Sequence, residues 1–314
     1  CLERDGSVYD TDKFMWLQAR QVWLFSALYN RLEQRGEWLN VATHGVKFLL
    51  KHGMDKDGSW FFALNRKGQP LVQPYNIYSD CFAAMAMSQY ALATGDDHAK
   101  RVALDTFHHI QARKDNPKRQ WSKAGSAARP FVGLGFSMMM CALVPELRWQ
   151  LGDDVANRTF DEAIANITQL SLDRDRMILF ENVLPDGSHA DCFDGRVLLP
   201  GHGIEAMWFV MDIAEERGDR KLIALCTQVI LSTLKMSWDD KHGGIFYVMD
   251  AKGTSPDRLD WDQKLWWVHN ETLIALLKAY RLTGNADCLP WFRRVHDYTW
   301  SHFPDPTHGE WFGY

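Results

Sequence analysis

Several absences narrow the chain before any motif is read. No apolar stretch approaches the roughly 20 residues that a transmembrane helix needs, and the opening Cys1-Leu2-Glu3-Arg4-Asp5-Gly6 lacks a charged-then-apolar leader pattern. A cytoplasmic protein with no membrane partner is therefore expected. Acidic residues (40) outnumber basic ones (35), and no long Lys/Arg run appears, so the electrostatic footprint of a nucleic-acid binder is missing. The six cysteines lie far apart and never form a C-x-x-C pair, which reads as buried free thiols rather than a disulfide framework or zinc site. There is no G-x-x-x-x-G-K-[ST], no G-x-G-x-x-G and no H-E-x-x-H. Phosphate-loop, dinucleotide-fold and zincin chemistry are left without a motif, and no metal ligands are assigned.

Tryptophan, by contrast, is abundant, with 14 residues in 314. Its flat apolar rings, each with one N–H, suit a large core, a carbohydrate-stacking cleft, or both. A repeat organises the rest. Five Gly residues, Gly36, Gly95, Gly152, Gly218 and Gly284, recur about every sixty positions, each followed by Glu, Asp or Asn and each lying between two helix-like stretches. Gly supplies the left-handed conformation that ends one helix, and Asp or Asn accepts from the free N–H groups that begin the next. Each turn thus reads as the tip of an αα-hairpin. The first helix of a hairpin is apolar nearly all round, as in Asp80–Leu92, and the second is amphipathic, as in His98–Leu104. That predicts a buried inner ring and a covering outer ring. Between hairpins, aromatic or β-branched runs with Lys67-Gly68, Asp186-Gly187 and Lys252-Gly253 turns read as short β-hairpins on one rim. Residues 1–10 match the second half of such a unit and Gly309–Tyr314 the first half, so a single domain over 1–314, cut short by a helix at either end, is expected.

Polar and aromatic residues concentrate at the starts of the inner helices. Arg20 sits a turn from Trp16 and Trp23 in an otherwise apolar stretch. In Pro200-Gly-His202-Gly-Ile-Glu205-Ala-Met-Trp208, the i,i+3 spacing puts His202 and Glu205 on one face, where a carboxylate can orient or tune an imidazole, and Gly201 and Gly203 leave room for close approach. In Lys264-Leu-Trp-Trp267-Val-His269-Asn-Glu271, rings and a carboxylate suit a sugar site; an aromatic core with a capping pair is the simpler alternative. Ser79 or Asp80 reads as an N-cap. The segment from Arg113 to Lys123 gathers Arg113, Lys114, Lys118, Arg119 and Lys123 around one Asp, with Trp121 available for stacking, either as a nucleotide site or as a solvated basic loop.

Taken together, Trp16-Leu-Gln-Ala-Arg20-Gln-Val-Trp23, Pro200–Trp208, Lys264–Glu271 and Gly309-Glu-Trp-Phe-Gly-Tyr314 resemble the N-acylglucosamine 2-epimerase family over essentially the whole chain. The resemblance implies an all-α (α/α)6 barrel and interconversion of N-acetyl-D-glucosamine and N-acetyl-D-mannosamine through a ring-opened sugar. It implies His202 as a catalytic acid/base, Arg20 as holder of a sugar or enolate oxygen, Glu205 and Glu271 orienting imidazole or substrate, and Trp267 and His269 lining the cleft. No cofactor enters the chemistry. ATP is implied as an activator, with Lys118 and Lys123 in the region of its binding, and a homodimer is left open. In the family pattern a second catalytic histidine follows the motif that ends at Tyr314. His302 and His308 precede that motif and are not given its role, so residues 1–314 alone are expected to lack half of the acid/base pair. Mannose or cellobiose 2-epimerases, a glycoside hydrolase with two carboxylates across a cleft, and a non-catalytic protein-binding homologue are the alternatives.

Overall fold

A computed structural model describes residues 1–116 and 130–314. Its contacts fall into two compact units, Cys1–Gly125 with Ala142–Thr159, and Ser126–Cys141 with Phe160–Tyr314.

The first unit is built on α1 (Met15–Arg31), α2 (Gly36–His52), α3 (Tyr78–Thr94) and α4 (Asp97–Ala112). Helix α3 is buried without a break from Ser79 to Ala91, because Ala83, Ala84 and Ala86 let neighbouring helices approach on every side. Helix α4 buries only Ala99, Val102, Ala103, Thr106, Phe107 and Ile110, the single stripe of a covering helix. The turn between them is the expected one: Gly95 takes φ 74°, and the Asp96 carboxylate accepts from the N–H groups of His98 and Ala99. The turn at Gly36 differs. Helix α1 ends at Arg31, the N–H groups of Leu32 and Glu33 both reach the Leu28 carbonyl, and Gly36 opens α2 with no side-chain cap before it. Four residues suffice to reverse the chain there without a left-handed Gly.

The N-cap expected of Ser79 or Asp80 is also corrected, since α3 already begins at Tyr78 and Asp80 lies inside it. Asp80 is fully buried, 2.5 Å from the guanidinium of Arg113, and accepts from the Trp60 N–H. Burial pushes its carboxyl up to about 6 even against the opposing charge of Arg113. Arg113, first of the basic run, is thus buried with a structural partner.

Helices α5 (Leu134–Leu151) and α6 (Asp153–Ala165) join around Gly152, which has φ 77°, and a π-helical turn over Asn166–Ser171 follows. The second unit adds the short α7 (Phe193–Arg196), then α8 (Pro200–Glu216) with α9 (Arg220–Ser237), and α10 (Trp266–Thr283) with α11 (Cys288–His302). Helix α8 packs on both α9 and α10, and α10 on α11. Gly218 and Gly284 are left-handed as expected, and Asp219 caps α9 by accepting from the Leu222 N–H. Helix α10 shows Trp266, Ile274, Leu277 and Tyr280 on its exposed side.

The segments between hairpins turn where expected, with Gly68, Gly187 and Gly253 all at positive φ. Their strands are only two or three residues long, and part of the pairing reaches across segments. Asn182–Val183 pairs with Val132–Gly133, and Met249–Asp250 with Val197–Leu198, the strand that leads into α8. Ile178, Phe180, Val183 and Leu198 form a small core beneath these strands.

Candidate active site

Helix α8 opens with Pro200 at its first position, where the missing N–H costs nothing and the fixed φ favours the helix. Gly201, Gly203, Ile204, Ala206 and Met207 are buried, which leaves His202, Glu205, Trp208 and Phe209 on the half-buried face. Only one of the two glycines is required by space. A Cβ on Gly201 would lie 2.6 Å from the Trp267 ring and 2.9 Å from Val268, whereas one on Gly203 would meet nothing closer than Leu179 at 3.8 Å. Gly201 therefore lets Trp267, in the first turn of α10, come to 5.8 Å from the His202 ring.

The partner of His202 is a residue that the sequence reading missed. Nδ1 of His202 lies 3.1 Å from Oε2 of Glu181, and both side chains are mostly buried. The backbone of Glu181 is held on two sides: its N–H donates to Val197 O, and its carbonyl accepts from the Leu134 N–H. Phe180 and Glu181 link the strands Ile178–Leu179 and Asn182–Val183; Phe180 enters the core, and at the bend that follows the Glu181 carboxylate reaches the imidazole instead. The cross-strand bond to Val197, three residues before α8, is what brings a carboxylate 21 positions away onto the imidazole. An ionised carboxylate can only accept, so Nδ1 carries the proton and the Nε2 lone pair is left for a substrate. Burial draws the His202 pKa down, but the charge and hydrogen bond of Glu181, with the charge of Glu205, more than offset it, and Arg258 opposes them weakly; the net shift is upward.

A signal for Glu181 was present: it is the lone acid in the run Met177-Ile-Leu-Phe-Glu181-Asn-Val-Leu184. A charge inside so apolar a run has to face something polar.

The remaining expected residues separate into four groups. Glu271 joins the site, its Oε2 accepting from the Trp208 indole N–H at 2.7 Å, and Tyr247 stands edge-on to Trp267 at 6.4 Å. His269 does not line a cleft. It has no exposed surface; its Nε2 accepts from the Ile245 N–H and its Nδ1–H donates to Leu265 O. Burial drives its pKa down to about 4, so it is a neutral tether between α10 and the preceding strand segment. Arg20 lies in the first unit, its guanidinium 4.1 Å from the Phe82 ring and 4.8 Å from that of Trp16. Lys118 and Lys123 fall outside the described residues.

A cleft of about 250 Å³ opens elsewhere in the second unit, lined by Arg176, Phe180, His189, Asp191, Arg196 and Lys252 and not by His202. Its cations are tied to Asp173, Asp191 and Asp250, so it holds no surplus charge for an anion. The chemistry points to the His202 side. Among the described residues no cluster of three or more His, Cys, Asp or Glu is arranged to hold a metal ion, and no helix is long and apolar enough to cross a membrane.

Helical hairpins carrying a tuned histidine beside tryptophan and carboxylates define a carbohydrate-handling protein of the αα-hairpin class. The solved cellobiose 2-epimerase from Bacillus thermoamylovorans B4167 superposes with a TM-score of 0.81 over 99% of this chain and 82% of its own, at 20% identity. That likeness shows the fold, the (α/α)6 class that the family resemblance implies and that agrees with the repeat of αα-hairpins. A family model for N-acylglucosamine 2-epimerase (GlcNAc 2-epimerase) matches residues 1–314, and the chain belongs to that family. The N-acylglucosamine 2-epimerase of Bos taurus is 36% identical over 100% of this chain and 76% of its own length, and that of Homo sapiens is 34% identical over 100% and 75%.

Proposed function

We infer that this chain is an N-acylglucosamine 2-epimerase that interconverts N-acetyl-D-glucosamine and N-acetyl-D-mannosamine. The observation that carries the reading is the Glu181–His202 pair, which leaves Nε2 basic beside an aromatic wall suited to a sugar. Inversion at C2 requires the open-chain aldehyde, whose C1 carbonyl acidifies the C2–H. His202 Nε2 takes that proton, electrons move onto the C1 oxygen to give an enediolate, and the second acid/base histidine that the family resemblance places after Tyr314 donates a proton to C2 from the opposite face as the C1 carbonyl re-forms. As the imidazolium forms, the Glu181 carboxylate gains an ion-pair partner, so the bond strengthens where charge develops. Glu205 adds a second negative charge near the ring.

Arg20 is given the oxygen-holding role that the family resemblance implies, which Arg20→Lys tests by its effect on kcat. Activation by ATP through Lys118 and Lys123, and a cytoplasmic location, are kept as further parts of this reading and rest on the same resemblance and on composition. The deciding experiment is proton exchange in D2O. The full-length wild-type protein, with the second histidine that the family resemblance places after Tyr314, is expected to place deuterium at C2 of N-acetylmannosamine and to interconvert the two sugars, and its His202→Ala variant to do neither. Absence of exchange in the wild type, with ATP present, overturns the assignment.

A further inference from the structure

Beyond the residues already placed around His202, one cation of the second unit faces the same side. After the strand Met249–Asp250 the chain makes an excursion through Thr254–Asp262 and returns alongside its own start: the Tyr247 N–H donates to Gln263 O, and the Val248 N–H to Trp261 O. Side chains lock the return, with Trp261 stacked 5.6 Å from Phe246 and the Lys264 ammonium 3.8 Å from the same ring. The excursion is therefore an ordered arm.

Arg258 stands on it, half-buried. Its guanidinium lies 4.9 Å from the Tyr247 ring; Nη2 donates to the Tyr247 hydroxyl at 3.3 Å and to Asp260 at 3.1 Å, and Nε donates to Asp260 at 3.2 Å. Nη1 has no partner among the described residues. Tyr247 meets Trp267, and Trp267 meets His202, so a run of ring contacts leads from the guanidinium to the catalytic imidazole.

We propose that Arg258, oriented by the Tyr247 hydroxyl, is a substrate-binding residue that donates from its free Nη1 to the acyl carbonyl oxygen of the amino sugar, while the edges of Tyr247 and Trp267 receive the acyl methyl. This rests on the epimerase reading for its substrate and adds the group that distinguishes an N-acyl sugar from a plain hexose. An amide oxygen is a neutral acceptor that a planar guanidinium meets with fixed direction, and a lysine ammonium does not reproduce that geometry. A site built to donate to that oxygen rejects a sugar without it, because the donor would be left unpaired. The excursion carries Asp257, Asp260 and Asp262 with Arg258, a net charge of −2, so the arm disfavours an anionic sugar.

Two measurements test this, one without any sugar. In the sugar-free protein, the His202 resonance, identified by its loss in His202→Gln, titrates at higher pH in Arg258→Gln than in wild type, since Glu181 and Glu205 then act without an opposing cation; Arg258→Lys restores the wild-type titration. With sugar, Arg258→Gln and Arg258→Lys both raise KM for N-acetylmannosamine about 10-fold or more, with a smaller fall in kcat. Quenching of tryptophan fluorescence shows the wild type binding N-acetylglucosamine more tightly than glucose, and Arg258→Gln loses most of that preference. Tyr247→Phe shifts KM the same way by less. An unchanged KM and an unchanged preference overturn the proposal, as does a loss confined to kcat. Should the wild type fail to exchange C2, the epimerase reading falls, while the N-acetylglucosamine preference and its loss in Arg258→Gln still decide the binding role.

Discussion

Replacing Glu181 with Gln removes a charge and little volume, and its consequence can be worked from the geometry. The pair is separated by 3.1 Å and mostly out of solvent, with side-chain exposures of 23% for His202 and 17% for Glu181. A hydrogen bond to a charged group in such a place contributes roughly 1.5–3 kcal/mol. Because the full charge on the imidazole exists only once it has taken the C2 proton, most of that energy belongs to the transition state. At a tenfold change per 1.36 kcal/mol, kcat/KM should fall by about 10- to 150-fold, mainly through kcat. A Gln amide can also present its NH2 group to Nδ1, which would place the proton on Nε2, the wrong nitrogen for a base.

The pH dependence carries a separate sign. The folded-state pKa of His202 lies above its ordinary 6.5 although burial opposes this, because Glu181 and Glu205 favour the cation. A base must be neutral to act, so the acid limb of the kcat/KM profile should follow this raised value in wild type and move to lower pH in Glu181→Gln. For stability, a raised folded value means that the contribution of the pair is fully present below about 6.5 and is lost as pH rises through the folded pKa. Rates of C2 exchange across pH, with a 15N titration of the His202 ring, read both effects. A Glu181→Gln protein with wild-type kcat, or with its acid limb at higher pH, would refute the reasoning.

Gly201→Ala should destabilise the fold by about 1–3 kcal/mol and raise KM, because its Cβ meets the Trp267 ring at 2.6 Å, while Gly203→Ala should melt at or above the wild-type temperature; reversal of that order contradicts the packing. His269, held neutral with a pKa of about 4 against an unfolded 6.5, stabilises fully above pH 6.5, and roughly 3 kcal/mol of that is lost as pH falls through 4, so thermal melts of His269→Gln should be less stable at pH 7 but flatter between pH 4 and 7. Arg113→Ala strands the Asp80 carboxylate inside the first unit and should cost about 3–5 kcal/mol, with Arg113→Ala/Asp80→Asn recovering part of it in a denaturant titration.

The parts of the fold legible in the sequence were those set by neighbours in the chain. Gly95-Asp96, Gly218-Asp219 and Gly284-Asn285 declare their turns because a left-handed residue and a side-chain acceptor are both chosen locally, and the unbroken burial of α3 follows from its run of small residues. Gly36 shows the limit, since its position is compatible with ending one helix or starting the next, and the structure uses the second. Strand pairing was less legible for the same reason. A two-residue strand such as Asn182–Val183 carries no periodicity that could select Val132–Gly133 as its partner over its own hairpin.

The site divides along that line as well. His202 and Glu205 share a helix, so their spacing alone puts them on one face, and the sequence reading found both. Glu181 reaches His202 only because its N–H bonds across to Val197 O, and Arg258 reaches Tyr247 only because an excursion of the chain folds back on itself; neither carries a motif. His269 was misassigned for the converse reason. Its neighbours Trp267 and Glu271 belong to the site, but in a helix the side chain two positions on from Trp267 points about 200° away, into the core where Ile245 and Leu265 take both of its nitrogens. The helical period that joins His202 to Glu205 is thus the same one that separates His269 from Trp267, and applying it to both helix starts alike would have marked His269 as a structural residue from the sequence alone.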